Sequence, residues 1–451
     1  MDVEERFVEA IEEEEEETGA EITRRYERRY QRLTGKNKTA VDSFLGKGQR
    51  VHEVGIVPRY YGELLTWALK RYMEREGWQV AQTLGYHSRE PVYIDVNTDC
   101  NQRENLLMDG QMLLTRENIR LVVTLDINLR WRSSVLVEGP SRRTEKISRF
   151  VTGVTATAKE QNFYRGKKIE FVGRLRFLEL SGRSWESIIL DDGIKREIKA
   201  NTISFLSRRE FWGKYGIPLK RGVLLAGEPG TGKTIICKAL MAEAEGITCI
   251  TTSAYVLDDD NYITELYELA QDLSPSLVFI EDIDLIGQNR TEYGYQKGPA
   301  LMSLLAVLDG VEEKKGIVTV ATTNCLETLD KALSKRPSRF DRVIKLSHPL
   351  LPERTELISR LCQKIPLDGP TQDYIARKAD GCTPAQLQEI IYSLAIEHTE
   401  GISGSPHSSI SKDDVDHVIS KINGRDRQLG FSVSTNHDGN KLEIASPIKL
   451  A

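Results

Sequence analysis

One octapeptide, Gly227-Glu-Pro-Gly-Thr-Gly-Lys-Thr234, constrains this chain more than any other stretch. It has the spacing G-x-x-x-x-G-K-[ST]. A wrap of backbone N–H groups around phosphate needs residues that take positive φ and let a ligand come close, and glycine does both. A short apolar run at 223–226 enters the loop, and an Ile/Ala/Leu-rich stretch leaves it and ends near Gly246. Strand, glycine loop and helix in that order place a helix N-terminus where it favours an anion. Gly227, Glu228, Pro229, Gly230, Thr231, Gly232, Lys233 and Thr234 are therefore the candidate cradle for ATP. Lys233 would reach the terminal phosphates, and Thr234 would offer its hydroxyl to Mg2+.

A loop of this kind demands a parallel α/β sheet around it. Short apolar runs at 223–226, 248–251, 277–280, 317–321 and 343–346 alternate with helical stretches, as crossover connections require. The third run, "SLVFIEDIDLI", sets an apolar strand in front of Glu281, Asp282 and Asp284. In a doubly wound sheet its end falls beside the phosphate loop. Glu281 is the expected Mg2+-side acid, and Asp282 the acid that orients or deprotonates the attacking water. The two side chains differ by one methylene, so the roles are open to exchange. By itself, an acidic helix start after a core strand is a dipole effect; the glycine loop gives it a second meaning.

The run "IVTVATTN" ends at Asn324, a polar group suited to holding the lytic water. Arg336 and Arg339 follow in "RPSRFDR", and arginine at a phosphoryl-transfer site stabilises transition-state charge by about 10³ to 10⁵ in rate. Either arginine alone reads as a surface residue paired with acid. Their place after the asparagine strand raises both to candidates.

The rest of the chain bounds the class. A length of 451 residues implies two or three cores. Net charge is −5, which gives no global basic field for nucleic acid. No apolar run reaches the roughly 18 to 20 residues of a bilayer span, and "MDVEERFVEAIEEEEEE" lacks a signal core. Cys100, Cys237, Cys249, Cys325, Cys362 and Cys382 form no C-x-x-C pair, which suits reduced thiols and a cytoplasmic setting. Residues 1–90 read as a charged helical region. Its first 45 residues are expected as a solvated helical arm with Glu21 four residues ahead of Arg25; a nucleic-acid arm is opposed by the acids Glu12 to Glu17. After Pro58, Tyr61, Leu64, Leu65, Ala68 and Tyr72 share a helical face, with Gly77 as the stop.

Residues 91–182 change to period two. In "LVVTLDINLRW", Leu121, Val123, Leu125, Ile127, Leu129 and Trp131 alternate with Thr124, Asp126, Asn128 and Arg130, the pattern of half-buried antiparallel strands. "KKIEF" and "RLRFLEL" are expected in the same small β domain. Residues 183–350 form the α/β segment, 351–422 are amphipathic helices with a cap at Ser411 and Asp414, and 423–451 are a polar tail.

Together these features resemble the AAA subfamily of AAA+ ATPases. The resemblance runs from about 184 to 422 and rests on GEPGTGKT, the acidic strand end, LDG at 308–310, TTN at 322–324 and RPSRFDR at 336–342, in order. "GCTPAQLQEIIYSLA" at 381–395 is similar to that family's second sensor region in a helical lid. The Glu-Asp order at the strand end, "FYRGKKIEF" and "RSWESIILDDGIKREIKANTISFL" resemble the branch related to the mitochondrial translocase of the Rieske iron–sulfur protein. The resemblance implies a P-loop ATPase core with a helical lid behind an N-terminal α+β domain. It also implies a homo-oligomeric ring, of six subunits or of seven as in that branch, with arginines completing a neighbour's site and a protein as substrate. Two readings stand against it: an AAA+ machine acting on nucleic acid, and a nucleotide-gated scaffold of low turnover. The segment "AYVLDDDN" at 254–261 lacks the aromatic-hydrophobic-Gly triplet with which many relatives grip a peptide, and Tyr255 is expected as a packed helix-start residue. Tyr293 and Tyr295, around Gly294, are the alternative gripping residues, set against an ordinary surface loop.

Overall fold

The computed structural model describes residues 19–87, 89–127, 132–180, 182, 184–258, 260–287, 299–310, 316–327, 329, 339–363, 365, 367–400 and 410–428. Arg336 and the Tyr293–Tyr295 loop lie outside these residues, as do positions 429–451. The chain divides into two compact units. One holds Met1–Trp185, Arg196–Ala226 and Ile236–Ile344; the other holds Glu186–Lys195, Gly227–Ile235 and Lys345–Ala451.

The first unit contains two sheets. Strands β1 (Arg50–Val57), β2 (Gln79–Leu84), β3 (Val92–Asp99), β4 (Gln102–Arg116), β5 (Ile119–Asp126) and β6 (Ser133–Pro140) form an antiparallel sheet in the order β1-β6-β5-β4-β2, with β3 also on β4. The helix expected after Pro58 runs Gly62–Glu76, and Gly77 stops it in the left-handed conformation at φ 73°. With the Thr144–Glu160 helix it covers one face of the sheet: Leu64, Leu65, Ala68, Tyr72, Phe150 and Val154 pack on Leu114, Leu121, Val123, Leu125 and Val135.

The other face differs from expectation. Thr124 and Asp126 are buried along with Val122, so β5 is covered on both sides. The cause is the charged arm, which forms helices Gly19–Thr34 and Lys38–Leu45. Val41 packs with Leu113 and Val122, and Tyr30 with Leu136. Arg29 pairs with Asp126, and the Tyr30 hydroxyl meets Ser134 at 3.0 Å. The arm is therefore a packed layer rather than a solvated helix.

The second sheet, in the order β13-β9-β12-β11-β10-β7-β8, is made of β7 (Lys168–Phe171), β8 (Leu175–Phe177), β9 (Lys220–Ala226), β10 (Thr248–Ser253), β11 (Ser276–Glu281), β12 (Ile317–Thr323) and β13 (Arg342–Lys345). From β9 through β12, β11 and β10 to β7 every pairing is parallel. "KIEF" thus belongs to this sheet and not to the antiparallel one. Its alternation buries Ile169 and Phe171 either way, and only its pairing with Cys249–Thr251 assigns it. Tyr60 lies edge-on to Phe171, and Arg59 bonds Glu265 at 2.9–3.0 Å, so one apolar core joins the two sheets.

The second unit has its own core from helices Leu351–Leu361, Gly369–Lys378, Pro384–Glu400 and Lys412–Gln428, with Ile358, Ile375, Leu387, Ile391 and Val418 at its centre. Buried Arg354 ties it together through Pro349 O (2.8 Å), Ala376 O (2.9 Å) and Asp380 (2.8 Å). Ser411 and Asp414 exchange bonds as a capping box, 2.8 Å and 3.2 Å, as their spacing predicts. The last helix continues past Ile422 to Gln428, running through Asn423 and Gly424. No helix among the described residues is long and apolar enough to cross a membrane.

Candidate functional site

The loop 227–232 leaves β9 and leads into the Lys233–Glu243 helix. Gly230 and Gly232 sit at φ 83° and 94°, the left-handed region that favours glycine. Space excludes a side chain at two of the three glycines. A Cβ on Gly227 would stand 2.7 Å from Leu346 O, and one on Gly230 would stand 2.8 Å from the Ala385 Cβ. The Gly230 carbonyl accepts from Ala385 N at 3.2 Å, so the loop is seated on the first turn of the Pro384–Glu400 helix. Thr231 donates to Glu228 O at 2.8 Å, and the Lys233 ammonium donates to Gly227 O at 2.6 Å and Glu228 O at 3.0 Å. Lys233 is buried, while Glu228 and Pro229 are exposed and Thr234 half-buried. His348 Nε2 lies 3.1 Å from the Glu228 carboxylate, a contact that no local pattern announced.

The acid end lies in the other unit. β11 stops at Glu281, and Asp282 turns the chain out of the sheet at φ 55°, a left-handed conformation that an aspartate accepts at a cost of about 1–2 kcal/mol. Four bonds hold it there. Asp282 N donates to Thr322 Oγ1 at 3.0 Å, and Ile283 N to Thr322 O at 2.9 Å. Asn324 Nδ2 donates to Asp282 Oδ1 at 3.0 Å, and Asn324 N to Asp284 Oδ1 at 3.2 Å. Asp282 and Asn324, separated by 42 residues, are thus in direct contact. Thr322 and Asp284 were visible in the quoted motifs, but nothing local assigned them these bonds. Glu281 and Asp282 are both half-buried, and the carbonyl of Glu281 accepts from Ala254 N at 2.9 Å.

That last bond fixes the turn that carries Tyr255, and here the expectation fails. Tyr255 is 82% exposed rather than packed, because the apolar start of the turn is filled by Ala254 and Leu257. Arg339 also differs from a free cation. Its Nε and Nη2 fork onto Asp309 of the LDG motif at 2.9 and 2.7 Å, and its side chain is 6% exposed. A Cβ on Gly222 would meet Arg339 O at 1.9 Å, so glycine in β9 lets this segment cross.

Among the described residues no cluster of three metal-binding side chains occurs. Mg2+ that arrives on phosphates needs no such cluster, since this ion is held by one or two carboxylates plus substrate oxygens rather than by a protein cage.

Residues 223–348 match the family model "ATPase family associated with various cellular activities (AAA)". The ATP-dependent zinc metalloprotease FtsH of Acidothermus cellulolyticus is 34% identical over 217 residues, 46% of this chain and 32% of that one. The proteasome-activating nucleotidase of Methanosphaerula palustris is 32% identical over 227 residues, 48% of this chain and 54% of that one. A probable inactive ATP-dependent zinc metalloprotease of Arabidopsis thaliana is 34% identical over 206 residues, 43% and 23%. The match spans about a quarter to a half of each relative's length.

Proposed function

We propose, for a chain whose residues 223–348 are an AAA ATPase domain, that ATP and Mg2+ bind at the phosphate loop and that hydrolysis drives work on a protein substrate. The observation that carries this reading is the Asn324–Asp282 bond at the carboxyl ends of neighbouring parallel strands. Parallel α/β sheets bind ligands at such ends, and β9, which leads into the phosphate loop, pairs with the asparagine strand up to Ala226 and Thr323.

In this reading Lys233 exchanges its loop carbonyls for the β- and γ-phosphates. Thr234 and Glu281 would hold Mg2+, which would supply positive charge to the phosphates. Asp282, oriented by Asn324, takes a proton from the attacking water. Arg336 completes a neighbouring subunit's site in a ring of six, or of seven as in the Rieske-protein translocase branch that the Glu281-Asp282 order favours. Arg339 is forked onto Asp309 of its own chain. The relatives' names, a protease and a proteasome activator, support a polypeptide as substrate over nucleic acid.

The test compares ATP binding and phosphate release in two variants. Asp282→Asn is expected to bind ATP as the parent does and to release phosphate at under a hundredth of its rate, while Lys233→Ala loses tight binding. Normal turnover by Asp282→Asn with a dead Glu281→Gln would reverse the two acids.

A further inference from the structure

The N-terminal sheet ends in an edge that its own chain leaves bare among the described residues. Asp109 of β4 pairs with Asp126 of β5 and also with Val92 of β3, so β3 and β5 lie on opposite sides of β4. Gln111 likewise pairs with Thr124 of β5 and with Leu84 of β2. β2 and β3 therefore run end to end along one edge of β4, and their outer backbone groups face away from the sheet. The side chains there are uncovered too. Val80, Val92, Tyr93 and Ile94 are all exposed, with Tyr93 at 48%. Val92 and Ile94 fall on one face of β3 and Tyr93 on the other, so both faces are bare at the same point.

The inner side of the same hairpin is firmly held. Glu104 of β4 accepts from Trp67 at 3.1 Å, Lys70 at 2.9 Å and Arg71 at 2.5 Å, all on the Gly62–Glu76 helix. At the hairpin tip Asp99 pairs with Lys167 at 2.5 Å. Leu106 and Leu107 are buried beneath. The edge is thus a fixed template rather than a mobile flap, which lowers the ordering cost of adding a strand. Bulges at Val92/Tyr93 and Asn97/Asp99 bracket a regular stretch from Tyr93 to Asn97.

We propose that the β3 edge docks the polypeptide substrate as an added strand, taking an extended apolar segment flanked by basic residues. Only a backbone can satisfy a row of outward N–H and C=O groups, which selects an extended peptide. The exposed Val92, Tyr93 and Ile94 select apolar side chains, and exposed Glu90 and Asp95 on either side select basic flanks. This identity of the ligand as substrate rests on the proposed protein-remodelling reading; the strand addition itself does not.

The experiment uses the full chain and a fluorescein-labelled nonapeptide, Lys-Lys-Val-Thr-Val-Thr-Val-Lys-Lys, followed by anisotropy. Two controls accompany it: the peptide N-methylated at alternate residues, and the Val92→Lys/Ile94→Lys protein. Saturable binding is expected, with at least tenfold loss for both controls and an unchanged basal ATPase rate in the variant. Equal binding of the methylated peptide, or of the variant, overturns strand addition. A variant that instead changes sedimentation of the peptide-free protein overturns it as well, since the edge would then join copies of this chain. If the parent hydrolyses no ATP yet binds the peptide as described, the functional proposal fails and the docking edge stands.

Discussion

Arg339 and Asp309 give the sharpest test of what the arginine segment does. The fork places a guanidinium that is 6% exposed against a carboxylate that is 42% exposed. Removal of Asp309 takes the forked carboxylate from a buried guanidinium, whereas removal of Arg339 leaves an acid that water can reach. Breaking a fully buried pair from one side costs about 3–5 kcal/mol. Solvent at Asp309 screens this one, so Asp309→Ala is expected to cost about 2 kcal/mol. Arg339→Met keeps most of the apolar contact and loses a charge-assisted bond, for about 1 kcal/mol. The double variant should cost well below the sum, because the same fork is lost only once. Urea unfolding of the four proteins, followed by tryptophan fluorescence, measures all three differences. Equal costs in the two single variants, or simple additivity, would refute the buried fork as the organising contact. Mixed assemblies extend the test to function. Lys233→Ala protein mixed with Arg336→Ala protein should regain some activity, since some interfaces join an intact loop to an intact arginine. Mixtures with Arg339→Met should show no such dependence on a neighbour.

Three further outcomes follow from single contacts. Asn324→Ala removes the Nδ2 donor from the Asp282 carboxylate; steady-state assays should show turnover down about a hundredfold, within the range for a positioned base, with ATP affinity nearly kept. Gly230→Ala puts a Cβ at φ 83° and 2.8 Å from Ala385, so calorimetry should record about tenfold weaker ATP binding, the equivalent of about 1.4 kcal/mol. The Lys167 ammonium, then the Cys100 amide, hold the Asp99 carboxyl below its ordinary value. A depressed acid contributes stability that is full above its unfolded value near pH 4 and lost as pH falls through the folded one; Lys167→Met should reduce that acid-side slope at the hairpin, read by hydrogen exchange of β3.

What could be read from the chain in advance was whatever is written locally. The phosphate loop is eight consecutive residues in which Gly230 and Gly232 take the left-handed angles that favour glycine, so its turn follows from its own composition. The same holds for the helix stop at Gly77 and the cap at Ser411. The parallel core was legible because apolar runs at regular intervals, ending in acid or asparagine, admit few other arrangements. Periodicity says which face of a strand is apolar, but not what will lie on the opposite one. β5 alternates as though half its residues met water, yet the charged arm folds over them and pairs Arg29 with Asp126, 97 residues away. "KIEF" fits either sheet by pattern and joins the parallel one through β10. The turn at Tyr255 is decided by which neighbours fill the space, and the fork at Arg339 by an acid 30 residues distant. The edge of β2 and β3, bare among the described residues, depends on the registers of three strands at once, and no single stretch of the sequence carries that information.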